Sequence, residues 1–338
     1  MKQVLLPILL LSAVAGCGGP GQQGDAGHED AAEETSTDSL AEYTIAVVPK
    51  GLVHQFWQTV RAGAESAGRE FGAKIIWNGP PRETEVERQI SIIEDMINRN
   101  VDALVMAACH ETALADVLEK AKSRGIPVVT IDSGVKSGVP VTHVATDNIA
   151  GAKAAADKLA ELVGKEGAVG IIPFVRGAAT SDLRERGFLD AMKSYPGLTV
   201  VPPRYSESDV AKGMAAMEDM MTAHPDLAGV FAANEAGAIG AAAALQASGK
   251  AGAVKLVAFD ASPEEVSLLE EGVIQALIVQ NPFGMGYEGV KAAVDHLEGK
   301  EIPARIDTGV VVVTANTLDS PEVQKLLAPE EQLRSAGL

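Results

Sequence analysis

The chain has only two cysteines, Cys17 and Cys109, in 338 residues. No disulfide framework can hold it together, so its stability must come from an apolar core. A bridge between these two would require the N-terminal segment to dock on the body; one modified cysteine and one buried free thiol is the simpler account. Aromatics are scarce as well, with two Trp, four Tyr and seven Phe making up 4% of the residues. That leaves Ala, Val, Ile and Gly to form the contacts, as where helices lie on parallel sheets. Bases are outnumbered, 28 Lys and Arg against 46 Asp and Glu, for a formal net charge of −18. A surface of that sign does not displace the counterions of a phosphate backbone, which excludes nucleic acid as a partner. The six histidines show no metal-binding spacing, and there is no Gly-x-Ser-x-Gly elbow and no phosphate-binding loop. Neither a cofactor, a metal nor a catalytic constellation is expected.

What is there begins with an address. The apolar run over residues 4–14, behind Lys2, is too short to span a bilayer at about 20 residues but has the proportions of a signal-peptide core, which gives residues 1–16 as an export signal. It ends Val14-Ala15-Gly16-Cys17, which resembles the bacterial lipoprotein box. That resemblance implies a lipid on the Cys17 sulfur and cleavage before it, so that Cys17 anchors the protein to a membrane; an ordinary signal peptide with an incidental cysteine is the alternative. Residues 18–42 contain no Lys or Arg and almost no large apolar side chain. Such a segment cannot bury enough to order itself, and residues 17–42 read as a lipidated cysteine with a flexible tether.

From Tyr43 onward, short apolar runs alternate with segments of helical period, the pattern of repeated βαβ units and an α/β class. Strands are predicted over residues 43–48, 74–77, 103–107, 128–131, 169–174, 199–201, 228–232, 255–259 and 274–279. Among the helices predicted between them are 55–71, 83–98, 150–163 and 211–223. About 150 residues per domain makes two units the natural expectation. One phrase recurs in both halves: a strand followed at once by Asp132, and a strand followed at once by Asp260. In open parallel sheets ligands sit beyond the carboxyl ends of the strands, so both aspartates stand where a ligand would be.

Several phrases occur in a fixed order: Val47-Val48-Pro49-Lys50 with His54-Gln55-Phe56-Trp57; Gly125-Ile126-Pro127-Val128-Val129 with Asp132-Ser133; Thr146-Asp147-Asn148; residues 180–188 with Arg184; Phe231-Ala232-Ala233-Asn234-Glu235; Phe259-Asp260-Ala261-Ser262-Pro263; and Gln280-Asn281-Pro282. In this the chain resembles the ribose-type periplasmic sugar-binding proteins of ABC transporters, which share their fold with Lac-repressor-type ligand domains. The resemblance covers nearly all of residues 43–314. It implies the type I periplasmic-binding-protein fold: two doubly wound parallel-sheet lobes joined by a three-strand hinge. The N-terminal lobe would be residues 43–146 plus 281–306 and the C-terminal lobe 147–280 plus 307–327. It further implies a monomer at the cell envelope, in the periplasm or on the outer face of the membrane. Its lobes would close on a monosaccharide or polyol and pass it to a permease.

A sugar has apolar C–H faces and a rim of hydroxyls, so its site needs aromatic surface and paired donors and acceptors. Phe56 and Trp57 match the family's stacking positions; helix-to-sheet packing is their other reading. Asp132 and Asp260 can each accept from two neighbouring hydroxyls, and Arg184 adds a donor fork. Asp132 could instead cap a turn, Arg184 could pair with Glu185 or Asp182, and Asn234 could be an N-cap. His54, Ser133, Thr180 and Gln280 complete the set of family contact positions. Several relatives place an arginine where this chain has Ser133 and an asparagine where it has Ala107, so its ligand can differ from theirs. Lys50 is as readily a salt-bridge partner as a ligand contact, and the roles of Cys109 and His110 stay open.

Three other readings are open to these residues. Gly284-x-Gly286-x-x-Gly289 fits the dinucleotide pattern, but no acid ends a following strand about 20 residues on, and glycines packing a helix on a sheet explain it. Asp132 and Asp260 could be the acid pair of a glycoside hydrolase, except that Arg184 would keep a neighbouring carboxylate ionised. The same closing lobes could serve a chemoreceptor or histidine kinase as a sensing subunit.

Overall fold

The computed structural model describes residues 43–328. The expected signal segment, Cys17 and the tether lie outside the described residues. Two six-stranded sheets account for the strands. The first is built from β1 (Tyr43–Val48), β2 (Ala73–Trp77), β3 (Ala103–Met106), β4 (Val128–Ile131), β5 (Thr142–Ala145) and β11 (Arg305–Asp307). Its order is β11-β5-β4-β3-β1-β2, parallel throughout. The second holds β6 (Gly167–Ile172), β7 (Leu198–Val200), β8 (Leu227–Ala232), β9 (Lys255–Phe259), β10 (Ala276–Val279) and β12 (Val311–Val313) in the order β12-β10-β9-β8-β6-β7. It is parallel except where β12 runs against β10. Both sheets reverse direction of winding beside their first strand, between β1 and β3 and between β6 and β8, and such switch points open a crevice at the strand ends.

Alternation along each strand feeds a core on both faces. Ile45 and Val47 of β1 join Val60, Ala64 and Ala67 of α1 (Gln55–Glu70) and Val290, Ala293 and Val294 of α9 (Pro282–Leu297). Ala46 and Val48 face the other way, onto Ile93, Met96 and Ile97 of α2 (Val86–Asn98) and Leu118 of α3 (Ala115–Ser123). The second sheet is covered likewise. On one face lie α4 (Asn148–Leu162) and α5 (Ala179–Met192). On the other lie α6 (Val210–Ala223), α7 (Glu235–Ala247) and α8 (Pro263–Glu270), joined by α10 (Pro321–Leu327) through Val323. Two-sided burial is why these strands read as apolar runs and not as polar–apolar alternation.

The expected α/β class with two doubly wound lobes is the fold observed, with β12 the one antiparallel addition. The chain passes from the first sheet to the second after β5, returns after β10, and crosses again between β11 and β12. One predicted helix starts late: α2 begins at Val86 and not at residue 83. Glu83 instead turns inward, 6% exposed, and is used as a buried hydrogen-bond partner.

Candidate functional site

The carboxyl ends of both sheets bring eight of the ten sequence-predicted site residues to one cavity: His54, Phe56, Trp57, Asp132, Arg184, Asn234, Asp260 and Gln280. Lys50, Glu83, Phe174 and Glu235 line it too. Ser133 and Thr180 are buried at its edge without lining it. A second cavity adjoins the first and shares Phe56, Glu235, Asp260 and Gln280.

Each side chain is placed by the end of a strand or the start of a helix. Asp132 and Asp260 follow β4 and β9 directly, and both take the left-handed backbone conformation, φ 51° and 84°. Asp is one of the few residues that adopts it readily. The repeat noticed in the sequence is thus a repeat of geometry. Asp260 Oδ1 accepts from Gln280 Nε2 at 2.6 Å and Oδ2 accepts the backbone N–H of Glu235 at 3.0 Å. Asp132 Oδ2 lies 3.0 Å from Lys50 Nζ.

Arg184 pairs with neither Glu185 nor Asp182. Its Nε donates to Asn148 Oδ1 at 2.8 Å, Nη1 donates to the Ala233 carbonyl at 2.7 Å, and the guanidinium lies 3.7 Å from the Phe259 ring centroid. Asn234 fills both roles weighed for it: Oδ1 caps α7 by accepting from Gly237, and the residue still lines the cavity. Trp57 and Phe56 meet edge to face at 4.9 Å, and Trp57 Nε1 donates to Glu83 Oε1 at 2.9 Å.

The electrostatics follow from burial and pairing. Burial raises the Glu83 carboxyl, yet Lys50 and His54 outweigh it and hold Glu83 well below the usual carboxylate range. Burial likewise works to strip Lys50 of its proton, but the Asp132 and Glu83 carboxylates keep its pKa above the ordinary value. For Asp260 burial wins: its pKa is raised although Arg184, Gln280 and the Glu235 amide all oppose the shift. The expectation that Arg184 keeps a neighbouring carboxylate ionised therefore describes that pairwise attraction and not the net result for Asp260, because desolvation is the larger effect. On the cavity wall the buried Gln280 Oε1 has no hydrogen-bond partner within the protein, while Asp132 Oδ2 and Glu83 Oε2 face the Lys50 ammonium at 3.0 and 3.8 Å. Buried acceptors of this kind call for donors, and hydroxyl groups supply them.

Residues 45–301 match the periplasmic binding protein domain family. The chain belongs to that family. Ribose import binding protein RbsB of Bacillus subtilis is 30% identical over 283 residues, which cover 84% of this chain and 91% of that one. A carbohydrate transporter solute-binding protein from Agrobacterium radiobacter, solved with D-arabinose, superposes with a TM-score of 0.83 at 36% identity and covers 86% of this chain and 100% of its own. A solute-binding protein from Agrobacterium vitis bound to α-D-tagatopyranose gives 0.82 at 34%, with 85% and 99% covered.

Sequence reasoning missed Glu83, Phe174 and Glu235. Phe174 only closed a predicted strand, and Glu235 only followed Asn234 in a phrase of the resemblance. Cys109 is the buried free thiol expected, its Sγ 3.4 Å from the Lys50 carbonyl and its pKa driven up chiefly by burial. His110 lies outside the cavity lining, with Nδ1 accepting the Thr112 amide.

Proposed function

We propose that this periplasmic-binding-protein chain is the sugar-binding subunit of an ABC importer, which closes two lobes around a monosaccharide or similar polyol and presents it to a permease. The observation that carries the reading is the meeting of polar side chains from both sheets around one cavity, with buried carboxylate and amide acceptors on its wall. A neutral polyol fits that wall: its hydroxyls donate to the acceptors while its C–H faces lie on Trp57, Phe56 and Phe174. Arg184, Asn234, Asp260 and Gln280 bind from one lobe; His54, Phe56, Trp57 and Asp132 bind from the other. Ser133 and Thr180 support them from the edge. The relatives named above carry ribose, arabinose or tagatose in their names, which supports a pentose or hexose.

Residues 43–146 with 281–306 form one lobe and 147–280 with 307–327 the other, and the three crossings are the hinge. Closure then requires ligand contacts from both lobes, and only the closed form makes them all. The protein works as a monomer in the periplasm, tethered through a lipid on Cys17. Replacing Cys17 by Ser should move it from the membrane fraction to the soluble one; unchanged sedimentation with membranes removes the anchor from the reading.

The test of the whole is a thermal-shift and calorimetric panel of D-ribose, D-arabinose, D-allose, D-tagatose, D-fucose and inositols. At least one should raise the melting temperature in proportion to its concentration, as tight binding to the native state requires. No binding across the panel would overturn the sugar assignment.

A further inference from the structure

The crossings join the sheets along one edge, at β5 and β11 of the first and β10 and β12 of the second, which leaves β2 and β7 at the opposite edge of each. Between the loops that follow these two edge strands lies a groove of about 360 Å3, within the roughly 300–1,000 Å3 of small-molecule sites. Val53, Pro81 and Arg82 form its wall on the first lobe, and Glu207, Asp209 and Val210 form its wall on the second. His54 and Glu83 line this groove and the inner cavity alike. We infer that the groove is an outer subsite and that the ligand class is a glycoside, whose sugar ring occupies the inner cavity while a ring-sized substituent on its anomeric oxygen lies between Val53 and Val210. This rests on the sugar-binding reading above and names the substrate class which that reading leaves open.

Two observations set this groove apart from an idle stretch of surface. Among the described residues three large hydrophobic side chains are exposed, and two of them, Val53 at 74% and Val210 at 43%, stand in this groove on opposite lobes. Single exposed apolar residues are ordinary, but a pair on opposite walls beside a polar cleft offers what the faces of a ring bury against. The second observation is the backbone. Glu207 and Ser208 are consecutive residues other than glycine in the left-handed region, φ 50° and 57°, a conformation that costs free energy and persists only where neighbours enforce it. The neighbours here belong to the inner cavity: the Glu207 amide donates to the Phe174 carbonyl at 2.9 Å, and Ser208 Oγ accepts from Asn234 Nδ2 at 2.8 Å. The wall that carries Val210 is thereby braced against the sugar site.

The side chains that separate the two spaces also connect them. On the first lobe they are the His54 ring and the Glu83 carboxylate, 3.7 Å apart, and on the second the bonded pair of Ser208 and Asn234. A glycosidic oxygen, one atom between two groups, is the smallest link that joins a ring on each side. A free monosaccharide in the inner cavity leaves Val53 and Val210 in water, whereas a substituent ring shields both. A protein partner that covers the two valines is the competing occupant, and it needs no continuity with the sugar site through His54 and Glu83.

The test compares, by calorimetry, the sugars of the panel above with their methyl and phenyl α- and β-glycosides. A methyl group is too small to fill the groove, and a phenyl ring is not. In wild type at least one phenyl glycoside should bind about tenfold or more tighter than the matching methyl glycoside, the worth of roughly 60 Å2 of apolar surface removed from water. Val53→Asp and Val210→Asp, at exposed positions where a charge is tolerated, should each cut that gain to about threefold or less and leave free sugars and methyl glycosides within about twofold of wild type. If no phenyl glycoside binds better than its methyl counterpart, or if the gain survives both substitutions, the inference is overturned and the sugar assignment stands. Equal weakening of free sugar and phenyl glycoside in both variants also overturns it, since the valines would then support the inner cavity and not a second ring. Failure of wild type to bind any sugar or glycoside removes the assignment itself, and the inference with it.

Discussion

Glu235 Oε2 accepts the backbone N–H of Phe56 at 3.0 Å and its Oε1 accepts that of Gln55 at 3.1 Å, so a side chain of one lobe caps a helix of the other. Helix α1 makes no such cap for itself: His54 at the N-cap forms no side-chain bond and the first turn holds no acid. The first N–H groups of a helix are unpaired unless something reaches them. Closing the cleft thus completes a helix end as well as a ligand shell. Glu235→Ala should weaken sugar affinity about tenfold, the loss of roughly one cap. Glu235→Gln, which keeps one acceptor oxygen, should cost about threefold or less. Calorimetry with small-angle scattering of the sugar-free protein checks this, and equal affinities with an unchanged scattering profile in Glu235→Ala would remove the clasp.

The helices α1 and α9 touch backbone to backbone. A Cβ on Gly286 would stand 1.9 Å from the Val60 carbonyl oxygen, and one on Gly63 would stand 2.0 Å from that of Phe283. Gly286→Ala should therefore destabilise the fold by about 3 kcal/mol. Urea unfolding measures it, and a loss under about 1 kcal/mol would mean the helices can separate freely.

That contact shows where sequence reading succeeds and where it stops. Gly286 and Gly289 were singled out as packing glycines because the dinucleotide alternative lacked its acid. Gly289 does face the sheet, against Ile131 and Val105, but Gly286 faces a helix 220 residues away in the chain, which no local pattern announces. Asp132 and Asp260 were legible because one strand-end geometry needs a residue that tolerates positive φ, and the chain uses Asp for it twice. Strand positions were legible because two-sided burial demands apolar runs. Glu83 was not, because an acid ahead of an amphipathic segment reads as a helix start. Only the fold shows that Trp57 and Lys50 claim its carboxylate. Glu235 was hidden for the same reason, since its partners are amides 179 and 180 residues away.

Four buried carboxylates give stability a shaped pH profile. Glu83 is held below the ordinary range, so its contribution is present above about pH 4.3 and is lost as pH falls through and below that value. Glu235, Asp260 and Glu265 are raised, burial being the largest cause in each, and Glu265 is pushed well above the ordinary range with Asp260 and Glu235 as like-charged neighbours. For these the folded state favours the proton, so stability declines as pH climbs from about 4.3 toward their raised values. The melting temperature should rise from neutral to mildly acidic pH and fall again below about pH 4. Glu265→Gln fixes the neutral form in a fully buried residue whose Oε2 serves the Ser262 cap. It should flatten the neutral side of the profile and raise the melting temperature at pH 7 by roughly 2 °C. An unchanged slope would place the titration elsewhere.

The two strand-end aspartates should respond differently to the same change. Asp132 meets Lys50 through Oδ2, and an asparagine there can turn its oxygen to the ammonium and still adopt φ near 51°. Asp132→Asn should keep stability within about 1 kcal/mol while sugar affinity falls roughly tenfold to a hundredfold, because a charged acceptor is replaced by a neutral one. Asp132→Ala should lose similar affinity and a further 1–2 kcal/mol, roughly the cost of a left-handed backbone in a residue with an ordinary Cβ. Asp260 has no such freedom. Both of its oxygens already receive protein donors, from Gln280 and from the Glu235 amide. An asparagine must therefore point its own N–H groups at one of them, and Asp260→Asn should cost about 1–3 kcal/mol for the donor left unpaired. Paired denaturation and calorimetry on the three variants separate the effects. Equal stabilities for Asp132→Asn and Asp132→Ala would mean that backbone conformation does not select aspartate there, and an unaltered affinity in Asp132→Asn would mean that its carboxylate does not meet the sugar.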